Sequence, residues 1–181
     1  TILAAAQLIN GLQSLVARET DPLDSAVVSI TQIEAGSTWN VMPSRAILRG
    51  TVRALREETR ARLERRIGEI ALGTAQACGL QAMVRYDRRY PSTTNAPAQA
   101  EMALQAAIAL LGKDRVHADL PPSMGAEDFA FLLQEKPGAY AWLGSGKEGG
   151  CGLHHPAYDF NDDVLGIGAA WWIKIVDHFD G

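Results

Sequence analysis

Glu127, Asp128, His154 and His155 are residue types that bind divalent metals or carry protons, and they fall on two short segments bounded by glycine and proline. The first segment is Ser123-Met124-Gly125-Ala126-Glu127-Asp128-Phe129, and the second runs Leu153-His154-His155-Pro156-Ala157-Tyr158-Asp159-Phe160-Asn161-Asp162. His154 sits between leucine and a second histidine just before a proline, a stiff turn on which a neutral imidazole can ligate a metal. A loop histidine without a role fits the same spacing, because no H-x-x-x-H or H-E-x-x-H partner stands nearby. His155 is a weaker candidate, since adjacent side chains on an extended segment point to opposite sides. Glu127 and Asp128, like Asp159 and Asp162, also read simply as helix N-terminal charges that complement the backbone dipole. Cys151 stands three residues before His154, but a C-x-x-H pair is only half a metal site, so it reads as a loop thiol.

Two further residues suit recognition of an anion. Asn40 precedes Val41-Met42-Pro43, and Arg53 closes Gly50-Thr51-Val52-Arg53. Arginine offers a bidentate fork to a carboxylate, and asparagine can donate to a carbonyl or oxyanion. A turn asparagine and a surface arginine are the alternative.

These residues need elements to aim them. Ile2, Ala5, Ala6, Ile9, Leu12 and Val16 recur with helical spacing up to Arg18, and Asp21-Pro22-Leu23-Asp24 breaks the pattern. Alternation then predicts a strand over 26–33 and another over 45–54, the second with Ala46, Leu48 and Val52 on one face and Arg49, Thr51 and Arg53 on the other. Gly50, on the apolar side, is expected to let a packed helix approach closely. A helix over 57–78 places Leu63, Ile67, Ile70, Ala71, Thr74 and Ala77 together, pairs Glu58 with Arg62, and stops at Gly79. A third strand is expected over 81–90, and 91–97 reads as a linker. Helices over 99–111, 127–134 and 162–179 and a short strand over 140–143 complete the chain, with Val164, Ile167, Trp171, Ile175 and His178 sharing a face of the last helix.

The fold class is α/β, or α+β. One strand added before Thr1 turns the first half, residues 1–94, into βαββαβ, a ferredoxin-like layout with one open sheet face. The second half, residues 95–181, carries too little strand to close an α/β domain by itself, and reads as the return portion of a larger one. The uncapped helical opening at Thr1 likewise suggests that the chain starts inside a longer protein.

Composition narrows the functions. The 181 residues carry 17 Lys and Arg against 21 Asp and Glu, net −4, and the basic residues concentrate between Arg45 and Arg89 without interleaved aromatics. This pattern argues for a solvated helix face and against nucleic-acid binding. Two cysteines make no disulfide framework, and no apolar run reaches the ~20 residues of a membrane span, so a cytoplasmic protein without a membrane partner is expected.

Taken in order, Asn40-Val41-Met42-Pro43, Gly50-Thr51-Val52-Arg53, Met124-Gly125-Ala126-Glu127-Asp128-Phe129, Pro137-Gly138, Leu143-Gly144 and Leu153-His154-His155-Pro156 carry a resemblance that covers essentially the whole chain. The sequence resembles the amidohydrolase branch of the dinuclear aminoacylase and carboxypeptidase family, which includes hippurate hydrolase, N-acyl-amino-acid amidohydrolases and auxin-conjugate hydrolases. The resemblance implies a catalytic α/β domain interrupted by a ferredoxin-like lid, with two divalent ions, zinc or manganese, in the cleft. It implies that Asn40 and Arg53 bind the substrate, that His154 is the C-terminal metal ligand, and that Glu127 is a catalytic-site acid at the rim or beside the metal ligands. A small N-acyl amino acid substrate and a homodimer formed through the lid follow from the same likeness. The family's remaining ligands, its glutamate base and its lid histidine would all precede Thr1, so this polypeptide alone is expected to be inactive. A non-catalytic oligomerisation or ligand-binding module built on the same lid is the alternative.

Overall fold

The computed structural model describes residues 1–179. The chain is mixed α/β and divides into two units, one of residues 1–92 with 122–126 and the other of residues 93–121 with 127–181.

The first unit is a β-hairpin with two helices packed on it. Strand β1 (Ala26–Ala35) pairs antiparallel with β2 (Ala46–Ala54). Helices α1 (Ile2–Ala17) and α2 (Glu57–Ala77) pack on the hairpin and on each other. Leu12, Leu15, Val28 and Leu63 form the core, and Leu8, Ile30, Val52, Ile67 and Ile70 close around it. The buried stripe of α1 is therefore Ala5, Leu8, Leu12 and Leu15, rotated from the expected one, and Ile2 and Val16 face outward. Helix α2 turns Leu63, Ile67, Ile70, Ala71 and Thr74 of the expected face inward, but Ala77 is exposed and Ala75 and Thr59 are buried, and the helix ends as foreseen at Gly79, whose φ is +67°. There the Leu80 N–H reaches the Ala75 carbonyl at 2.8 Å and the Gly79 N–H reaches that of Gln76 at 3.0 Å, so two of the loose carbonyls of the last turn are satisfied.

Three local expectations need correction. The register runs Ile30 opposite Gly50 and then Gln32 opposite Arg49, leaving Thr31 as an extra residue. This bulge flips the parity of β1, so that Ile33 and Ala35, not Gln32 and Glu34, continue the face of Val28. Gly50 serves this bulge and not a helix, for a Cβ there would run into the Ser29 carbonyl on the neighbouring strand. The Glu58–Arg62 pair does not form, since Glu58 meets Arg56 at 3.9 Å and Arg62 donates to Thr20.

The third strand is also not observed. Residues 81–90 join no ladder and lie against α2, where the Arg88 guanidinium grips Glu64 at 2.5 Å and Glu57 at 2.7 Å. A ladder needs a neighbour, and the ferredoxin-like expectation put that neighbour before Thr1.

The second unit is helical among the described residues: α3 (Pro97–Leu111), α4 (Phe129–Glu135) and α5 (Leu165–Phe179), with single 3₁₀ turns at Lys113–Arg115 and Asp162–Val164. Residues 140–143 are not paired as a strand. Helix α5 packs on α3 through the stripe that carries Val164, Ile167, Trp171 and Ile175, and the Trp171 indole donates to the Ala103 carbonyl at 3.1 Å. His178 of that expected face is exposed. Among the described residues no helix is long and apolar enough to cross a membrane.

Candidate functional site

In the first unit the loop from Gly36 to Arg45 joins the two strands and carries Asn40. Thr38 donates its hydroxyl to Asn40 Oδ1 at 3.0 Å, which occupies the amide oxygen and leaves the Nδ2 hydrogens as outward donors. Thr1 fastens the base of this loop by donating to the Pro43 carbonyl at 2.6 Å. Asn40 is exposed in an open hollow that also holds Trp39, Val41 and Met42.

Arg53 lies on the exposed face of β2 and donates from Nη1 to the Met124 carbonyl at 2.5 Å. It thus braces the glycine-bearing turn three residues ahead of Glu127, a backbone role the sequence did not suggest. The turn is also tied locally, for the Gly125 N–H reaches Ser123 Oγ at 3.1 Å. A guanidinium has five donors, so Arg53 keeps a free edge for a carboxylate. Arg49 on the same hairpin is committed to Glu34.

In the second unit Glu127 is half-buried just ahead of α4. Burial pushes the Tyr140 phenol above its ordinary range, and the hydrogen bond and charge of Glu127 push it further. The Phe129 and Tyr140 rings lie 5.7 Å apart in a tilted arrangement. Asn95 grips the backbone of Tyr140 at both ends, donating to its carbonyl at 2.9 Å and accepting from its N–H at 2.8 Å.

His154 is exposed on a tight double turn. The His155 N–H reaches the Gly152 carbonyl at 3.2 Å and the Tyr158 N–H reaches that of His155 at 2.9 Å. Between them His154 takes φ +67°, the one left-handed non-glycine among the described residues. His155 spends its Nδ1 as acceptor for the Ala157 N–H at 3.1 Å, so its ring serves the turn. Cys151 is a free, exposed thiol. Asp162 and Asp163 are exposed, and the cap that opens the 3₁₀ turn before α5 is Asn161, which accepts the Asp163 N–H at 3.2 Å.

Asn40 and Arg53 therefore belong to the first unit, and Glu127 and His154 to the second. Among the described residues no three His, Cys, Asp or Glu side chains come together to hold a metal. Sequence reasoning missed Asn95, Tyr140 and Asn161. Only Asn161 left a local signal, an asparagine one residue ahead of two acids and an apolar helix.

A sequence model of peptidase family M20/M25/M40 matches residues 6–178. The chain belongs to this family. It is 37% identical over 174 residues to an N-acetylcysteine deacetylase of Bacillus subtilis and, over the same length, 37% identical to a hippurate hydrolase of Campylobacter jejuni. Each alignment covers 96% of this chain, but only 44% and 45% of the relatives, so the chain spans under half their length. A crystal structure of a Bacillus subtilis dinuclear metal binding peptidase from the M20 family superposes with a TM-score of 0.77 at 34% identity, over 96% of this chain and 44% of that one.

Proposed function

We propose that this M20 chain is the lid and the C-terminal part of a metal-dependent amidohydrolase that releases an amino acid from an N-acyl conjugate, with hippurate-like substrates. The observation that carries the reading is the near-complete alignment with two relatives whose names both describe cleavage of an N-acyl amide. In this reading residues 1–94 form the lid, which dimerises through its sheet edge, and residues 95–181 complete the catalytic domain of a cytoplasmic enzyme.

The donors in this chain fit a shared metal site. His154 offers one exposed imidazole on a turn whose left-handed backbone fixes its direction, and the remaining ligands come from the portion of the relatives that this chain does not span. Two divalent ions, zinc or manganese, supply electrophilic activation and an acidified water when bound. Asn40, with its amide hydrogens outward, donates to the oxygen of the scissile carbonyl. Arg53 takes the substrate carboxylate on the edge not used by Met124. Glu127, at the rim, orients the groups around the ligands.

The experiment is hydrolysis of hippurate and N-acetyl amino acids by a protein of the relatives' full length, with metal content measured alongside. His154→Ala is expected to lose both activity and about one ion per chain. Full metal content in that variant sinks the ligand assignment, and turnover by the pure 181-residue chain sinks the division of the site between two halves.

A further inference from the structure

The loop between β1 and β2 turns large apolar side chains to water on both sides of Asn40. Trp39 is 96% exposed, Met42 82% and Val41 62%, although each is a residue type that folding normally covers. These three line one open hollow with Asn40, about 740 Å³ in volume and so within the range of small-molecule sites. None of the side chains lining the hollow is ionisable. The loop is held at both ends, by the Ala35–Ala46 pair that closes the hairpin and by the Thr1 hydroxyl on the Pro43 carbonyl. Within it the bond from Thr38 to Asn40 Oδ1 leaves the amide hydrogens as donors among the apolar groups.

We propose that Trp39, with Val41 and Met42, forms the acyl subsite of the enzyme and selects an aromatic acyl group. The inference rests on the proposed function, in which Asn40 donates to the oxygen of the scissile carbonyl. In an N-acyl amino acid the acyl substituent is bonded directly to that carbonyl carbon. The side chains flanking Asn40 in the same hollow are therefore the ones it meets. The carboxylate lies on the other side of the amide, and no charged side chain of the hollow could pair with it. The neutral end of the substrate belongs here. An indole offers a flat face on which a benzoyl ring can stack, whereas the methyl of an acetyl group covers little of it. Met42 is unbranched and adapts to the edge of the ring. A second copy of the chain, docked through the same side chains, is the competing occupant.

The test uses the full-length enzyme and two substrates with one amino acid in common, hippurate (N-benzoylglycine) and N-acetylglycine. The parent should prefer hippurate, and a preference for N-acetylglycine overturns the inference. Trp39→Ala should lower kcat/KM for hippurate about tenfold more than for N-acetylglycine, chiefly through KM, the scale of one stacked aromatic pair. Trp39→Phe keeps a ring and should restore most of the preference. Benzoate, the acyl product, should inhibit Trp39→Ala about tenfold less well than the parent. An unchanged substrate ratio or unchanged benzoate inhibition in Trp39→Ala overturns the inference and leaves the proposed function standing. Sedimentation tests the competing occupant: Trp39→Ala should keep the parent's oligomeric state, and its dissociation assigns the indole to a contact between copies and overturns the inference. A parent enzyme that cleaves neither substrate overturns both readings.

Discussion

His154 combines a proposed metal-binding role with a conformational cost. The left-handed region puts Cβ close to the following carbonyl, about 1–2 kcal/mol for an ordinary side chain, and glycine escapes it. The paired turns at Gly152–His155 and His155–Tyr158 enforce that conformation whatever the side chain is. His154→Gly is therefore expected to leave the 181-residue chain about 1 kcal/mol more stable than His154→Ala, measured by denaturant melts. In the full-length protein both substitutions should lose the same metal. Equal stabilities would mean that the turn relaxes and that the backbone does not aim the ring. At this scale the motifs were legible because they are contiguous: residue types and their order indicated Glu127, His154, Asn40 and Arg53. The bond from Arg53 to Met124 was not legible, because 71 positions separate the partners and nothing local marks them.

At the scale of elements, helical and alternating patterns located α1 to α5 and both paired strands among the described residues, though they also placed strands at 81–90 and 140–143 that do not form. They did not decide which of two apolar stripes on α1 would be buried. Leu8 and Leu15 won over Ile2 and Val16 because the hairpin meets that side, and contact with β1 is a tertiary fact. The bulge at Thr31 was equally hidden, for it depends on the register of the partner strand.

Charge also works between elements. Arg66 on α2 forks onto Glu19 beyond α1 at 2.8 Å and holds Glu69 at 2.5 Å. Hydrogen bonding to Arg66 lowers both carboxylates below their ordinary value of 4.5. A folded-state pKa below the unfolded one stabilises above the unfolded value, and that contribution disappears as pH falls through the folded-state value. The melting temperature should thus drop on acidification from about pH 5 downward, and Arg66→Met should make the drop shallower. All three groups meet solvent, so the change at neutral pH should be small. An acid-side slope identical in Arg66→Met and the parent would rule the trio out as its source.

For the whole molecule, the question is what covers α5. One stripe packs on α3, but Leu165, Trp172 and Val176 form a second stripe about a third of a turn away, with Trp172 61% exposed, and Ile173 extends it. A helix apolar on two faces is suited to the interior of a domain. The chain spans under half of its relatives, and in the proposed function residues 95–181 complete a catalytic domain. The 181-residue chain should accordingly enhance the fluorescence of 1-anilinonaphthalene-8-sulfonate, and Trp172→Lys with Ile173→Glu should abolish most of that signal. A dye signal unaffected by the pair would place the binding surface elsewhere.

The sequence by itself determined the helices, the hairpin and the order of motifs that marks an M20 chain, because each is written within a few consecutive residues. Only the tertiary structure decided which stripe of α1 is core, that Gly50 yields to Ser29, that Arg53 braces the Met124 turn and that Asn95 holds the Tyr140 backbone. Each of those joins residues distant in the chain. Contact energy between distant residues depends on where folding brings them, and no local period records it.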